Sequence, residues 1–498
     1  MSTIRRQGII SSVLIFIGFA IGFFNNILFT RQGIFTVEQY GLTRSFFDFS
    51  QVIVSFSVLG VTAGIYKFYP YYKANLPDKE NDMLSWSLLI ALFGFLLFFL
   101  CGIFFKPFFV RKFSEKSPML ITYYYWIYIF AFSLLIFTVL ESYCGSLKQT
   151  VLTNFLKETA LRLFTTVLLI FFVFQLINYD TFIKLFALLY TAIVMILIVY
   201  LKSKNQLHLT FKVSRVTKKF SKKILTYIGF IFFAILMSTI SGTIDSIIIS
   251  SLLGQASLGI FSFSSYITNL MQIPQRSVMA ISLPSLAEGW REKNFPLIEK
   301  IYKRSSINLL LAALFIFGNI WLNFENLIYT FKLNPSFLDG KLVILFLAAR
   351  YIIDMGTGLN SQIIITSSHW RFEIFTGILL LFIIVPLNYF LVKQFGITGS
   401  AISNLAGYSI YNSVRIAFLW MKFKMQPFSL NTLWALLLTA ACYFLVYFSI
   451  PEMKGLTGMI VKSSFFSILF IAATWYFKLT PDLEPVLYSL KKRFGIKP

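Results

Sequence analysis

The sequence predicts an all-α, polytopic membrane protein with about fourteen spanning helices, in two lobes of six followed by two further helices. Hydrophobic residues make up 57% of the 498 residues, and mean hydropathy is +0.76. Apolar runs recur from residue 8 to residue 477 with short polar breaks, and each is long enough to cross a bilayer, which takes about 20 residues. A soluble domain could not carry so much apolar surface, so we expect the chemistry to lie inside a helix bundle.

The predicted spans are apolar windows bounded by turn residues or charges. In chain order they cover 9–29, 46–66, 84–105, 123–144, 155–177, 182–201, 225–253, 258–283, 307–327, 342–366, 372–392, 397–421, 433–450 and 456–477. An even number of spans places both termini on the same side of the membrane.

Basic residues indicate which side that is, because Lys and Arg in short loops are retained in the cytoplasm. With Arg5 and Arg6 placed inside, most of the 44 Lys and Arg also fall inside, including all those of the stretch 202–223, which has no acidic residue. We interpret this stretch as a topogenic loop beside anionic lipid headgroups. A patch that gathers an anionic substrate is the alternative, and nucleic-acid binding is not expected from the net charge of +24.

The basic stretch also predicts the domain organisation. We expect an N-lobe at 1–201 with helices 1–6, a basic cytoplasmic linker at 202–224, and a C-lobe at 225–428 with helices 7–12. Residues 429–498 then hold helices 13–14 and a basic cytoplasmic tail. Weak similarity between the stretches that begin at Glu38 and Ala256 supports two related lobes, since transporter folds are commonly built from repeats.

Several functional classes lack their sequence signatures. No stretch matches G-x-x-x-x-G-K-[ST], so no built-in nucleotide motor is expected. Both histidines, His208 and His369, fall outside the predicted spans, and the three cysteines are far apart, so neither a metal site nor a disulfide is predicted. The longest segments between helices are short for a membrane glycosyltransferase or polymerase. We therefore predict no catalytic residues and no cofactor, and we expect that the chain is not an enzyme.

Three stretches carry a family resemblance: FTRQGIFTVEQYG at 29–41, SGTIDSIIISSLLGQASLGIFSFS at 241–264 and KQFGITGSAIS at 393–403. They resemble the polysaccharide exporter branch of the multidrug/oligosaccharidyl-lipid/polysaccharide exporter superfamily, which contains the O-antigen and capsule repeat-unit flippases. The similarity is diffuse and covers 9–430. It implies two six-helix lobes around a central cavity, often with two extra helices, in the bacterial inner membrane. The distribution of basic residues predicts that both termini are cytoplasmic.

Arginines inside predicted spans are candidate ligands for an anionic substrate, because a charge in a membrane usually faces a cavity or a partner. Arg276 lies near the middle of helix 8, and guanidinium is suited to bidentate contacts with a pyrophosphate. Arg44 and Asp48 are spaced i,i+4 and can pair, so Arg44 is either a cavity cation or half of an internal ion pair. Arg31 is either a cavity cation or an interfacial anchor. Arg276 is either a substrate-binding cation that faces the cavity or a structural arginine that snorkels or pairs within its lobe.

Carboxylates inside spans are candidate ion-coupling groups. Asp245 has no basic residue within one helical turn along the sequence, so it is expected to take up a proton, bind a cation or form hydrogen bonds with nearby hydroxyls. Arg350 and Asp354 are again spaced i,i+4 and are predicted to pair, with the polar stretch 354–362 lining a cavity. Asp245 is therefore the first coupling candidate, Asp354 and Asp48 are the further ones, and Arg350 joins the substrate-binding set.

The resemblance and these charges together predict a flippase that moves undecaprenyl-pyrophosphate-linked oligosaccharide (an O-antigen, capsule or exopolysaccharide repeat unit) across the inner membrane by alternating access. The coupling ion would be Na+ or H+. Expected partners are the lipid-linked glycan, membrane lipids and polysaccharide polymerase or assembly proteins. The alternatives are a cation-coupled multidrug exporter of the same superfamily and, less favoured, a membrane glycan polymerase.

Overall fold

The computed structural model describes residues 3–450 and 453–482, with the side chains of residues 3–13 and 16 left aside. Its described residues form helices and no strand, which confirms the predicted all-α class. Contacts within the chain divide it into two compact units, Met1–Gly259 and Ile260–Pro498. The predicted tail beyond residue 482 and the two termini lie outside the described residues.

The described residues of the first unit form twelve helices and the start of a thirteenth. They are α1 (Thr3–Thr30), α2 (Val37–Ser57), α3 (Val61–Asn75), α4 (Met83–Phe104), α5 (Lys106–Phe113), α6 (Pro118–Thr122), α7 (Tyr124–Ser146), α8 (Thr150–Asn154), α9 (Leu161–Val173), α10 (Tyr179–Ala187), α11 (Leu189–Ser203) and α12 (Arg215–Leu252), with a π-helical turn at Phe155–Ala160.

The second unit contains the remaining helices. They are α13 (Gln255–Asn269), which begins in the first unit, α14 (Ile273–Arg291), α15 (Phe295–Thr330), α16 (Lys341–Gly356), α17 (Asn360–Thr366), α18 (Trp370–Phe423), α19 (Leu430–Ser449) and α20 (Gly455–Tyr476). In the 54-residue α18, Gly396 has non-helical angles of φ 60° and ψ −142°, so two helices meet there at a kink.

Eight helices in the described part of the chain are long and apolar enough to cross a membrane, and the number rises to ten when two bent pairs are each taken as one span. The count of about fourteen stays a prediction. Several predicted spans are interrupted: 155–177 contains the π-helical turn, and 258–283 contains the 3-10 turn Leu270–Gln272. The kinked α18 contains both 372–392 and 397–421.

The first unit packs around α2, which contacts α4, α7 and α12. Its core is aromatic, and Phe46, Phe130 and Phe182 are fully buried. Helix α12 packs on α2 and α3, so it lies in the first unit, whereas the predicted C-lobe begins at residue 225. The predicted lobe boundaries stay a prediction.

In the second unit, α15 contacts α14, α16, α19 and α20, and α16 packs along α18. Helices α19 and α20 both pack on α15. Phe466 of α20 is fully buried, and its ring packs against Gly318 of α15. A separate cluster of buried residues lies between α14, α15, α16 and α18. It surrounds the end of α16, where the chain bends by 47° before α17.

Candidate functional site

The break between α16 and α17 is held by hydroxyl groups of α15. Helix ends leave backbone groups without intrahelical partners, and in a membrane such groups must be satisfied by protein or by water in a cavity. Ser306 Oγ donates to the carbonyl oxygen of Gly356, and the amide of Leu359 donates to Ser305 Oγ at 3.3 Å. Gly358 has φ +65°, and a β-carbon there would lie 3.0 Å from Ser306 N. The break is therefore a built feature of the fold.

A buried polar network starts at this break, with Asn412 of α18 at its centre. Asn412 is 1% exposed, and its Nδ2 donates to Asp354 Oδ1 at 3.0 Å. Its Oδ1 accepts from Asn360 Nδ2 at 2.8 Å and from Thr357 Oγ1 at 3.1 Å. The second oxygen of Asp354 accepts from Gln275 Nε2 of α14 at 3.2 Å. One carboxylate is thus held by amides from two other helices.

The network continues to a buried ion pair between Glu373 and Arg415, both on α18. Arg415 donates to Glu373 and to the hydroxyl of Tyr411, and its side chain is 4% exposed. Ser361 Oγ of α17 donates to the same Glu373 oxygen at 2.7 Å. Because Ser361 N also donates to Asn360 Oδ1 at 2.6 Å, the amide cluster and the ion pair form one continuous chain of hydrogen bonds.

Arg350 lies one turn before Asp354 on α16 and stacks on aromatic rings. Its guanidinium carbon is 3.6 Å from the ring centroid of Tyr408 and 4.4 Å from that of Tyr351. Contacts of this kind stabilise a cation that has lost part of its hydration. Tyr351 in turn donates to Asn269 Oδ1, which connects α16 with α13.

Residues 4–290, more than half of the chain, match the Polysacc_synt family, polysaccharide biosynthesis proteins. The chain belongs to this family. The predicted resemblance to the polysaccharide branch is confirmed. No protein in a curated collection matches the chain significantly.

Solved structures show which fold this family member has. It is similar to the lipid II flippase MurJ in an inward closed conformation, with a TM-score of 0.71 and 14% identity over 94% of this chain and 98% of that one. It is also similar to an inward-facing multidrug resistance MATE family transporter of the MOP superfamily, with a TM-score of 0.61 and 16% identity over 86% and 94%. The chain is a multi-pass membrane protein with the fold of these transporters.

Two of the predicted residues form a second polar site, within the first unit of this family member. Arg44 Nε lies 2.9 Å from Asp48 Oδ2, and the side chains are 47% and 4% exposed. Ser246 Oγ of α12 donates to the same Asp48 oxygen at 2.5 Å. The i,i+4 pair that the sequence allows is therefore formed, and it also fastens α12 to α2.

The other predicted residues occupy separate positions. Arg31 follows the last residue of α1 and is exposed, Arg276 is exposed in the first turn of α14, and Asp245 is half-buried one residue before Ser246. Among the predicted candidates, Asp354 belongs to the buried network. The substrate-binding and coupling roles of all these residues stay predictions.

Sequence reasoning missed the partners that complete the network. Asn412 lies within the predicted span 397–421, Glu373 stands near the start of the predicted span 372–392, and Asn360 belongs to the polar stretch 354–362 that is predicted to line a cavity. Polar side chains in such positions usually face the bundle interior, which is the signal that could have identified them. The described residues contain no group of three or more His, Cys, Asp and Glu that could hold a metal ion.

Proposed function

We propose that this protein flips a lipid-linked oligosaccharide across the bacterial inner membrane, and that it is not an enzyme. One combined observation carries the proposal. The chain belongs to a polysaccharide biosynthesis family, and its fold is similar to that of a protein described as a lipid II flippase over 94% of its length. The undecaprenyl-pyrophosphate carrier, the cytoplasmic termini and polymerase partners are parts of the same proposal.

Arginines would hold the anionic pyrophosphate of such a substrate. Guanidinium groups stay charged and donate in a fork that matches phosphate oxygens. Arg31 and Arg276 are exposed and so can receive a ligand without breaking a buried contact. Arg44 and Arg350 already contact Asp48 and two tyrosine rings, respectively, so they would bind substrate while held in place by those neighbours.

Arg276 provides the direct test of substrate binding. In cells that lack the protein, lipid-linked repeat units should accumulate in the inner leaflet, and the wild-type gene should restore their export. Arg276→Ala should reduce export about ten- to hundredfold, the range expected for losing a hydrogen bond to a charged group. Arg276→Lys should retain part of the export because it keeps a cation. Normal export by Arg276→Ala at equal protein level would remove Arg276 from the site.

Coupling to an ion gradient would use Asp354. Its carboxylate is held by Gln275 and Asn412, so a proton or Na+ that binds there would alter contacts among α14, α16 and α18. Asp245 and Asp48 are the further coupling candidates in the first unit.

Asp354→Asn should make transport in proteoliposomes independent of an imposed Na+ or proton gradient, because the amide neither titrates nor attracts a cation. Asp339→Asn, an exposed acid at the turn before α16, is the matched control and should leave the gradient response intact. If transport by Asp354→Asn follows the gradient as in the wild type, coupling does not use this residue.

The similarity to MATE transporters supports cation-coupled multidrug export as the second candidate function. An exporter of cationic drugs should lower the accumulation of a cationic dye in cells. Its loss should leave the export of lipid-linked repeat units unchanged. Loss of a flippase should instead leave dye accumulation unchanged and stop the export of repeat units, so the two assays on one deletion strain separate the candidates.

A further inference from the structure

A groove of about 240 Å³ lies at the start of α12, in the first unit and apart from both polar sites. Val61, Gly64 and Tyr72 of α3 line it, and α3 packs on both α4 and α12. Its walls include Trp86 and Ile90 of α4 and Ser221 and Leu225 of α12. The lining is almost entirely apolar, which fits a hydrocarbon chain better than a polar solute.

Specific contacts close the groove at both ends. At one end α3 and α12 touch, because a β-carbon on Gly60 would lie 2.3 Å from the carbonyl oxygen of Ile228. At the other end Tyr72 OH and Thr217 Oγ1 are hydrogen-bonded at 2.8 Å. Asp82, which is fully buried, accepts from Ser214 N and from Thr217 Oγ1, both at 2.8 Å. The space between these contacts is therefore a fixed feature of the unit.

One polar atom in the groove wall lacks an acceptor. Trp86 Nε1 is buried and has no hydrogen-bond partner among the described residues. A buried N–H without an acceptor is unfavourable, and a ligand oxygen that reaches the indole N–H of Trp86 would supply the missing acceptor. The acceptor has to be part of a molecule that is otherwise apolar.

Two lysines of α12 directly follow residues that line the groove: Lys218 follows Thr217 and Lys222 follows Ser221. Lys218 and Lys222 are one turn apart on α12 and share a face with Leu225. Both lysines are exposed, and Leu225 is 58% exposed although it lines the groove. Asp82 is already engaged by the start of α12. Cations beside an exposed apolar residue fit an anionic headgroup attached to a hydrocarbon chain.

The segment before α12 also has the character of a membrane surface. Leu209, Phe211 and Val213 alternate along it and are 52%, 62% and 43% exposed, with Lys212 between the last two. Apolar residues interleaved with basic ones are typical of segments that lie at the boundary between headgroups and acyl chains. The mouth of the groove would then be at headgroup level.

We propose that this groove binds one acyl chain of an anionic phospholipid. Lys218 and Lys222 hold the headgroup phosphate, and an oxygen at the glycerol end of the lipid accepts the Trp86 N–H. The lipid fastens the start of α12 to α3 and α4. This site is separate from the proposed transport function, and its test measures lipid binding and not transport.

Lipid binding to the purified full-length protein, measured by native mass spectrometry, tests the proposal. Phosphatidylglycerol should bind about tenfold more tightly than phosphatidylcholine with the same acyl chains, since its headgroup keeps a net negative charge for the two lysines whereas the choline ammonium neutralises the phosphate of the other lipid. Lys218→Gln with Lys222→Gln should abolish this preference. Lys202→Gln with Lys204→Gln, exposed in the same basic linker, is the matched control and should preserve it.

Two further variants distinguish binding of the acyl chain in the groove from non-specific attraction of anionic lipid to basic residues. Ser221→Trp should fill the groove and weaken both lipids, and Trp86→Phe should weaken binding while keeping an aromatic ring in the wall. Equal binding of the two lipids, or equal loss in both lysine pairs, would overturn the proposal. Stronger competition by undecaprenyl diphosphate than by phosphatidylglycerol would also overturn it, because the groove would then hold a polyprenyl lipid.

Discussion

Glu373→Ala is expected to destabilise the second unit by about 3 to 5 kcal/mol, because it leaves the buried Arg415 guanidinium without its counter-charge. The Arg415 side chain is only 4% exposed, and Ser361 and Tyr411 would lose their shared acceptor. Thermal unfolding of the purified protein in detergent and its level in membranes should both fall steeply. Arg415→Ala should do the same through the uncompensated carboxylate.

The double variant Glu373→Met with Arg415→Leu tests whether the unpaired buried charge causes the loss of stability in the single variants. Replacing a whole buried ion pair by apolar side chains is often neutral, so the double variant should recover much of the lost stability. Glu299→Ala is the control: it breaks the exposed pair with Lys303, 2.7 Å apart, and should change stability by less than about 1 kcal/mol. Equal, small effects of Glu373→Ala and Glu299→Ala would mean that the Arg415 pair is hydrated.

The fold class was predictable because the bilayer allows few solutions. A chain whose backbone groups must be satisfied in hydrocarbon forms helices or closed barrels, and apolar runs of helical length select helices. Helix irregularities were not predictable in the same way. The turn Leu59–Gly60, with φ of 46° and 78°, and the π-helical turn at Phe155–Ala160 depend on packing against neighbouring helices, which hydropathy does not encode.

Within the candidate sites, local pairs were predictable and distant partners were not. Arg44 and Asp48 are one turn apart, so helix periodicity places them together. Ser246, which donates to the same carboxylate, is far along the chain and reaches Asp48 only because α12 packs on α2. Asn412 and Asp354 are likewise joined by the packing of α18 on α16. Such contacts require the tertiary structure.

This difference explains why the buried network escaped prediction although each member is visible in the sequence. Asn412 carries no charge, so an analysis of charged residues in spans passes over it, whereas Asn360 lies in the polar stretch 354–362 that is predicted to line a cavity. In the folded unit they become the groups that link Asp354 to the Glu373–Arg415 pair. Hydrogen bonds in this network therefore connect the break after α16 with the Glu373–Arg415 ion pair.

Gly41→Ala should strongly disrupt the first unit, because Gly41 of α2 lies against the first residues of α13, 255–259, within that unit. A β-carbon on Gly41 would lie 1.9 Å from the carbonyl oxygen of Gln255 and 3.0 Å from the amide of Gly259. Both are backbone atoms, so the helices must separate. The buried hydrogen bond from Ser45 Oγ to Gln255 Oε1, 2.8 Å, would then be stretched or lost. We expect destabilisation of about 1 to 3 kcal/mol or more, measured by thermal unfolding in detergent.

Gly242→Ala provides the control, because a β-carbon at Gly242 of α12 meets nothing within 4 Å. That change should leave stability unaltered or raise it by up to about 1 kcal/mol, since alanine favours a helix over glycine. The two variants differ only in what their added methyl group contacts. If they unfold at the same temperature, α2 and α13 are not in backbone contact in the isolated protein. A large loss confined to Gly41→Ala would establish that small residues set the spacing of these helices, as is usual where membrane helices approach closely.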